Sequence, residues 1–386
     1  MSVLVRPYQP QDRIGFGHVR SMVYRNGAPV SPDENLIPID CMGFVAEIDG
    51  RIVGAFTGID MWSTHHHRLV RTMGIASVGV LQEARSQGVG KALMAESMRS
   101  LKESNFVLAS LYPFRGSFYR KFGYEYCGLR RRITCPAADF PSVEPTLPVR
   151  ALKPHELDLV RPCYDAFAER YNGMNLRNDQ QWVRQMGGET PFSLFTFGDP
   201  IEGYVAVRLQ STFWEDQPIR EFVWTSSRAY ATGLSFVKTL LVNKTSATWD
   251  EPGDGLFAAR HFERGISVGI ENPIMYRVID VPSSLRGLRC EHGEGEFVLE
   301  VADTQLPENA GPWRVRFNSD GTTVEAVEAS QTGIRLGIGA YTQAWMGEPG
   351  WEGVRFTDDL EVLAPAHLEA ARKLMPFRRG LCLDYF

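Results

Sequence analysis

Apolar residues recur along the first third of the chain in two rhythms. Phe44-Val45-Ala46-Glu47-Ile48 and Arg51-Ile52-Val53-Gly54-Ala55-Phe56 are β-rich runs separated by Asp49-Gly50. An Asp-Gly pair supplies the positive φ angles of a tight primed turn, so the spacing predicts a hairpin. Gly90, Met94, Met98 and Leu101 instead fall at helical spacing along one side. The opening stretch, Met1 to Pro7, predicts a first strand. Taken in order, this block reads strand, helix, several strands, helix, strand, helix, strands.

The periodicity then breaks. Prolines 136, 141, 145 and 148 crowd the stretch from Cys135 to Pro148, which predicts a linker. Beyond it the opening pattern recurs: Val5-Arg6-Pro7-Tyr8-Gln9-Pro10 is echoed by Val149-Arg150-Ala151-Leu152-Lys153-Pro154. Asp199 to Val207 likewise repeats the turn and second strand of the hairpin, so the sequence suggests duplication of one α/β unit. A third block starts near Met275, with strands expected at Glu296–Val301, Trp313–Phe317 and Gly333–Leu336 and helices after them. The chain ends Leu381-Cys382-Leu383-Asp384-Tyr385-Phe386. Free tails are polar and frayed, whereas burying such side chains stabilises by roughly 1.5–3 kcal/mol each, so this tail is expected to be docked.

Composition narrows the function classes. At 386 residues the chain suits two or three domains, with the apolar (44%) and charged (23%) fractions of a globular protein. No apolar run approaches the roughly 20 residues that span a bilayer, and the N-terminus lacks a secretory layout; a cytoplasmic location with no membrane partner is expected. A net charge of −5 argues against nucleic acid. The densest basic run, Arg130-Arg131-Arg132, reads as a solvated edge. Six cysteines without a CxxC pair predict buried thiols or small surface residues rather than a zinc site. His65-His66-His67 precede a strand; adjacent side chains on an extended segment point alternately, so a solvated loop is expected, and no metal.

The densest chemical signal runs from Val78 to Leu93. A β-rich run, Val78-Gly79-Val80, leads into Arg85-Ser86-Gln87-Gly88-Val89-Gly90 and then the amphipathic helix. Glycines let backbone approach a ligand, and successive amides at a helix N-terminus bind anions. Arg85 and Lys91 add positive charge, so the segment predicts a diphosphate site. A dinucleotide fingerprint is missing, and Lys91 is followed by Ala92 where a Walker loop needs Ser or Thr.

Arg-x-x-Gly-x-Gly after a fourth strand resembles the coenzyme A signature of the GNAT superfamily. Phe106 to Leu111 as a fifth strand, followed by Ser117-Phe118-Tyr119-Arg120-Lys121-Phe122-Gly123-Tyr124, agrees with it. The whole chain is similar to the Eis family, through Tyr112-Pro113, the Met275-to-Pro282 stretch and the terminal Phe386. That resemblance implies an α/β architecture of tandem GNAT folds followed by a sterol-carrier-protein-like α+β domain: a catalytic unit at 1–145, a degenerate second unit at 146–285 and a C-terminal domain at 286–386. Ser226 to Gly233 has one glycine where the signature needs two, so the second unit is expected to bind no coenzyme.

The resemblance also implies roles. Acetyl-CoA would be the co-substrate, its pantetheine held by the backbone of Val78, Gly79 and Val80 and its diphosphate by amides from Arg85 to Gly90. Tyr119 would be the acid for the leaving thiolate, and the α-carboxylate of Phe386 the base. A phenol of pKa about 10 protonates a thiolate of pKa about 8–9 only with help from its surroundings, and a carboxylate of about 3.5 is a weak base toward an ammonium. Trp62 and the Tyr24-to-Pro29 stretch are expected to line the amine pocket. The acceptor would be a small cationic amine, aminoglycoside-like or of polyamine or lysine type, and the protein a homo-oligomer, a hexamer by resemblance. Lipid binding with a vestigial catalytic unit and protein-lysine acetylation remain the alternatives.

Overall fold

The β-rich runs of the first block pair into one sheet. In the computed structural model, which describes residues 3–187, 191–209, 212–270, 274–290 and 293–386, the chain forms two units. The first contains Met1–Cys127, Ile274–Phe377 and Phe386; the second contains Gly128–Pro273 and Arg378–Tyr385. Two residues of the expected first strand, Met1 and Ser2, lie outside the described residues.

The first sheet is built from β1 (Leu4–Pro7), β2 (Cys41–Ile48), β3 (Arg51–His65), β4 (Arg68–Val80), β5 (Leu108–Leu111) and β6 (Glu125–Tyr126). Its order is β1-β2-β3-β4-β5, then the strand Met275–Val278, then β6. β4 and β5 run parallel; β2–β3 is the Asp49-Gly50 hairpin. The stretch around Met275 thus begins no new sheet but completes this one beside β5. Helix α1 (Arg13–Tyr24) covers one face through Phe16 and Val19, against Val45, Ala55 and Leu81. Helix α2 (Val89–Glu103) buries Met94, Met98 and Leu101, the stripe read from their spacing, against Phe44, Phe56 and Met73 on the other face. A short helix α3 (Gly116–Arg120) follows β5.

The C-terminal part is a five-stranded sheet in the order Thr322–Ala326, Trp313–Phe317, Gly295–Ala302, Ile334–Gly337, Leu360–Val362, with helices Ile338–Met346, Gly350–Val354 and Pro365–Leu374. Two of its strands, Thr322–Ala326 and Leu360–Val362, escape the sequence reading; both sit at edges and carry few buried residues. Arg277, fully buried on the Met275–Val278 strand, meets Asp303 in two hydrogen bonds of 2.9 and 3.0 Å. An arginine is tolerated there because its charge is paired and hydrogen-bonded.

The second unit repeats the first topology. Its seven-stranded sheet runs Val149–Ala151, Ser193–Phe197, Gly203–Val207, Asp216–Trp224, Ser246–Pro252, Arg130–Pro136, Ser267–Ile270. The fourth and fifth of these are parallel, and the helix Ser227–Leu240 joins them as α2 joins β4 to β5. In both sheets the strand beside the fifth comes from elsewhere in the chain: Met275–Val278 in the first, Arg130–Pro136 in the second.

Three expectations are corrected here. Cys135-Pro136 close a strand rather than open a linker, and Phe140 beyond them is core. Arg130-Arg131-Arg132 is not a solvated edge; Arg130 is buried and shares Asp250 of the neighbouring strand with Arg132. A carboxylate across the ladder is what admits the charge. Third, His66 and His67, with φ of 43° and 59°, make the tight turn between β3 and β4, but His65 is wholly buried, stacked 3.4 Å from Trp345 and bonded through Nε2 to its carbonyl at 2.7 Å.

The tail is docked as its composition suggested. Leu381 and Leu383 join the second unit's core, and Asp384 accepts from Arg177, itself paired with Glu221 with both side chains fully buried. Five of the six cysteines are buried and Cys41 is half-buried. Among the described residues no helix is long and apolar enough to cross a membrane, and no group of metal-ligating side chains gathers.

Candidate active site

β4 carries the central feature. It pairs with β3 from Arg68 to Val80, but β5 covers only Thr72 to Ile75 on its other side. β5 stops at Leu111 because Tyr112 is followed by Pro113, which has no N–H to donate to a ladder. From Ala76 onward β4 therefore has a strand on one side only. At that point it bulges: Ser77 and Val78 together oppose Phe56, with Ser77 at φ 54°. The N–H of Leu81 bonds to Val53 on β3 at 2.9 Å, so alternation turns the backbone groups of Gly79 toward β3 and those of Val78 and Val80 toward the open side. The carbonyl of Val78 accepts there from the hydroxyl of Tyr24, at the end of α1, over 2.7 Å.

Past Val80 the chain makes a turn at Gln82–Ala84 and enters α2 through Gly88, whose φ of 83° is a left-handed conformation that favours glycine. The first helical bond is Ala92 N–H to Gly88, so the amides of Val89, Gly90 and Lys91 precede the ladder and point along the axis. Arg85, Ser86, Gln87 and Gly88 are exposed around them, as is Lys91. A Cβ on Gly90 would stand 3.5 Å from Phe118, an ordinary contact, whereas one on Gly54 of β3 would come within 2.8 Å of Val89. Gly54 thus lets the start of α2 seat closely on the sheet, and Gly90 is open toward its surroundings. Donors, dipole and two cationic side chains fit a bound diphosphate.

Tyr119 lies on α3, buried within an aromatic cage: Phe114 at 5.5 Å, Phe118 at 5.1 Å and Tyr124 at 6.2 Å between ring centroids. Burial pushes its hydroxyl well above the usual tyrosine range, and the nearby Tyr24 phenol adds to the shift. Tyr24 itself is pushed up to about 12 by burial, against the pull of Arg20. Both phenols are neutral donors at physiological pH.

Phe386 packs in the first unit. Its ring joins Ile59, Met61 and Ala76, stands 5.4 Å from Tyr112, and passes so near Gly74 that a Cβ there would lie 3.1 Å from it. The terminal residue is thereby seated on β4 where β5 ends. Of the expected pocket residues, Tyr24 is at the open edge; Trp62, next to Met61 on β3, points to the opposite face and does not share Phe386's surroundings. The bulge left no mark in the sequence, because Ser77 is an ordinary strand residue and only pairing reveals the extra position.

The corresponding helix start in the second unit is closed. Ser226 caps it, accepting from Ala229 N–H at 3.1 Å, and donates to Glu202 at 2.6 Å, which also pairs with Arg228. A carboxylate beside the first turn opposes a second anion. Nearby, Glu251 is buried between Tyr230 and Trp249, and burial pushes its carboxyl upward.

Known proteins similar to this chain come from two domain families. Residues 31–127 match the acetyltransferase (GNAT) domain family, and residues 281–383 match the sterol carrier protein domain family. The N-acetyltransferase Eis of Mycobacterium tuberculosis is 24% identical over 298 residues, 69% of this chain and 71% of that protein. Among solved structures, a probable N-acyltransferase from Enterococcus faecalis V583 is similar over the whole of both chains, at 18% identity and a TM-score of 0.89. Eis1 from Mycobacterium abscessus is likewise similar throughout, at 20% identity and a TM-score of 0.77.

Proposed function

We propose, from the premise that this chain is an Eis-like N-acetyltransferase of the GNAT superfamily, that it moves the acetyl group of acetyl-CoA to a primary amine on a small cationic acceptor. The observation that carries this reading is the length of β4 left open beyond Ile75 and leading into the Gly88 helix start. Val78 and Val80 offer backbone groups to a pantetheine arm, Gly79 between them leaves room for Val19, Val23 and Tyr24 of α1, and the amides from Arg85 to Gly90 take the diphosphate.

Bound acetyl-CoA supplies a thioester carbonyl carbon; the amine nitrogen bonds to it as the carbon–sulfur bond breaks. Tyr119, held neutral, donates its proton to the departing sulfur and is restored, through water, by the second proton that the nitrogen sheds as the amide forms. Its weakened acidity makes full transfer uphill, so the phenol acts best as a donor whose hydrogen bond strengthens as charge develops. The α-carboxylate of Phe386 draws the ammonium in and receives its proton directly or through water.

A panel of amines (spermidine, neomycin and a lysine peptide) assayed with acetyl-CoA by free-thiol release tests this function. Release that depends on both protein and amine is expected. Calorimetric absence of acetyl-CoA binding would contradict it.

A further inference from the structure

On the sheet face that carries α1 and Phe386, a buried hydroxyl has no hydrogen-bond partner among the described residues. Thr57 on β3 is more than nine-tenths buried, and its hydroxyl has no hydrogen-bond partner among the described residues. Buried hydroxyls are normally bonded, and one left dry is a cost that valine, of the same shape, would remove. The position therefore points to a partner that arrives later.

The register says what surrounds it. Alternation puts Thr57 on the same face as Ile59 and Met61, directly across from Ala76 on β4 and Gly43 on β2. Ile59, Met61 and Ala76 are the residues that pack with the Phe386 ring. On the Gly43 side, Ile37 and Tyr8 close over the sheet, each 2.7 Å from where a Cβ would stand. Beyond the bulge, Gly79 is covered by Val19, Val23 and Tyr24 of α1. The Thr57 side chain thus lies on this face between the chain terminus and the end of α1, beside the first β4 residue that β5 leaves uncovered, with its hydroxyl covered from solvent.

We propose that Thr57 is a positioning residue for the acceptor, its oxygen accepting an N–H of the amine that lies over Ala76. Holding one N–H there leaves the nitrogen lone pair free to turn toward the thioester carbon once the ammonium proton has gone to the Phe386 carboxylate. The inference rests on the acetyl-transfer reading above and adds the residue that reads the acceptor.

The test compares wild type, Thr57→Val and Thr57→Ser with whichever of spermidine, neomycin or a lysine peptide is acetylated best. For Thr57→Val the acceptor KM rises about tenfold with kcat within about threefold, the loss of one hydrogen bond to a charged group. Acetyl-CoA affinity is unchanged, and Tm stays level or rises; Thr57→Ser restores the wild-type KM. An unaltered KM in Thr57→Val, with wild type active, overturns this inference alone. A fall in Tm together with acetyl-CoA affinity overturns it too, since the hydroxyl then serves the fold. No turnover by wild type overturns the transfer reading and this inference with it.

Discussion

The Tyr24 hydroxyl donates to the Val78 carbonyl over 2.7 Å. A side chain from α1 thereby occupies an acceptor on the open edge of β4, which the account gives to pantetheine. Arriving cofactor must compete with it. Tyr24→Phe should then tighten acetyl-CoA about 2- to 10-fold, the worth of one net hydrogen bond, as read by calorimetry. Equal or weaker binding would show that the phenol supports the cofactor.

The two glycines at the helix start have different jobs. Gly88 is needed for its left-handed backbone, and Gly88→Ala should lower stability by about 1–2 kcal/mol in chemical denaturation. Gly90 has room for one carbon, so Gly90→Ala should keep both the fold and, within about threefold, acetyl-CoA affinity; Gly90→Leu should fold yet lose about tenfold or more.

Tyr119→Phe should lower kcat about tenfold or more while acetyl-CoA still binds. The direction of the phenol's shift also sets the pH profile. A phenol pushed upward is protonated through pH 10 and ceases to donate only beyond it. Turnover should therefore rise with pH as the amine deprotonates, with no falling limb from Tyr119 below about pH 10. The same sign holds for stability: what the buried neutral phenol contributes is complete below about pH 10 and is lost as pH climbs through the raised value.

The last residues separate anchoring from chemistry. Asp384→Ala leaves Arg177 facing Glu221 with one carboxylate fewer in a fully buried network and should destabilise by about 3–5 kcal/mol. Deleting only Phe386 removes a half-buried ring and moves the carboxylate to Tyr385. Its Tm should fall by a few degrees at most, by roughly the burial of one side chain, while transfer is abolished in the thiol-release assay.

Local signals carried the first unit well. The Asp49-Gly50 hairpin, the Met94-Met98-Leu101 stripe and the strand-to-glycine-to-helix order all depend on neighbours in sequence, and all are present. Long-range pairing was not legible. Met275–Val278 reads as a strand, but nothing local says that its ladder partner is Leu108–Leu111. Arg130 looks solvated until Asp250, 120 residues away, is placed beside it, and His65 until Trp345 stacks on it. Thr57 was invisible for a similar reason: a threonine in a β-rich run is unremarkable until the structure shows its hydroxyl dry.

Calorimetric titration of the intact protein with acetyl-CoA, beside Gly90→Leu, tests the coenzyme site most directly. One molecule per chain binding wild type, and about tenfold or more weaker binding to the folded variant, is the predicted outcome. No binding to wild type, or equal binding to both, would contradict it.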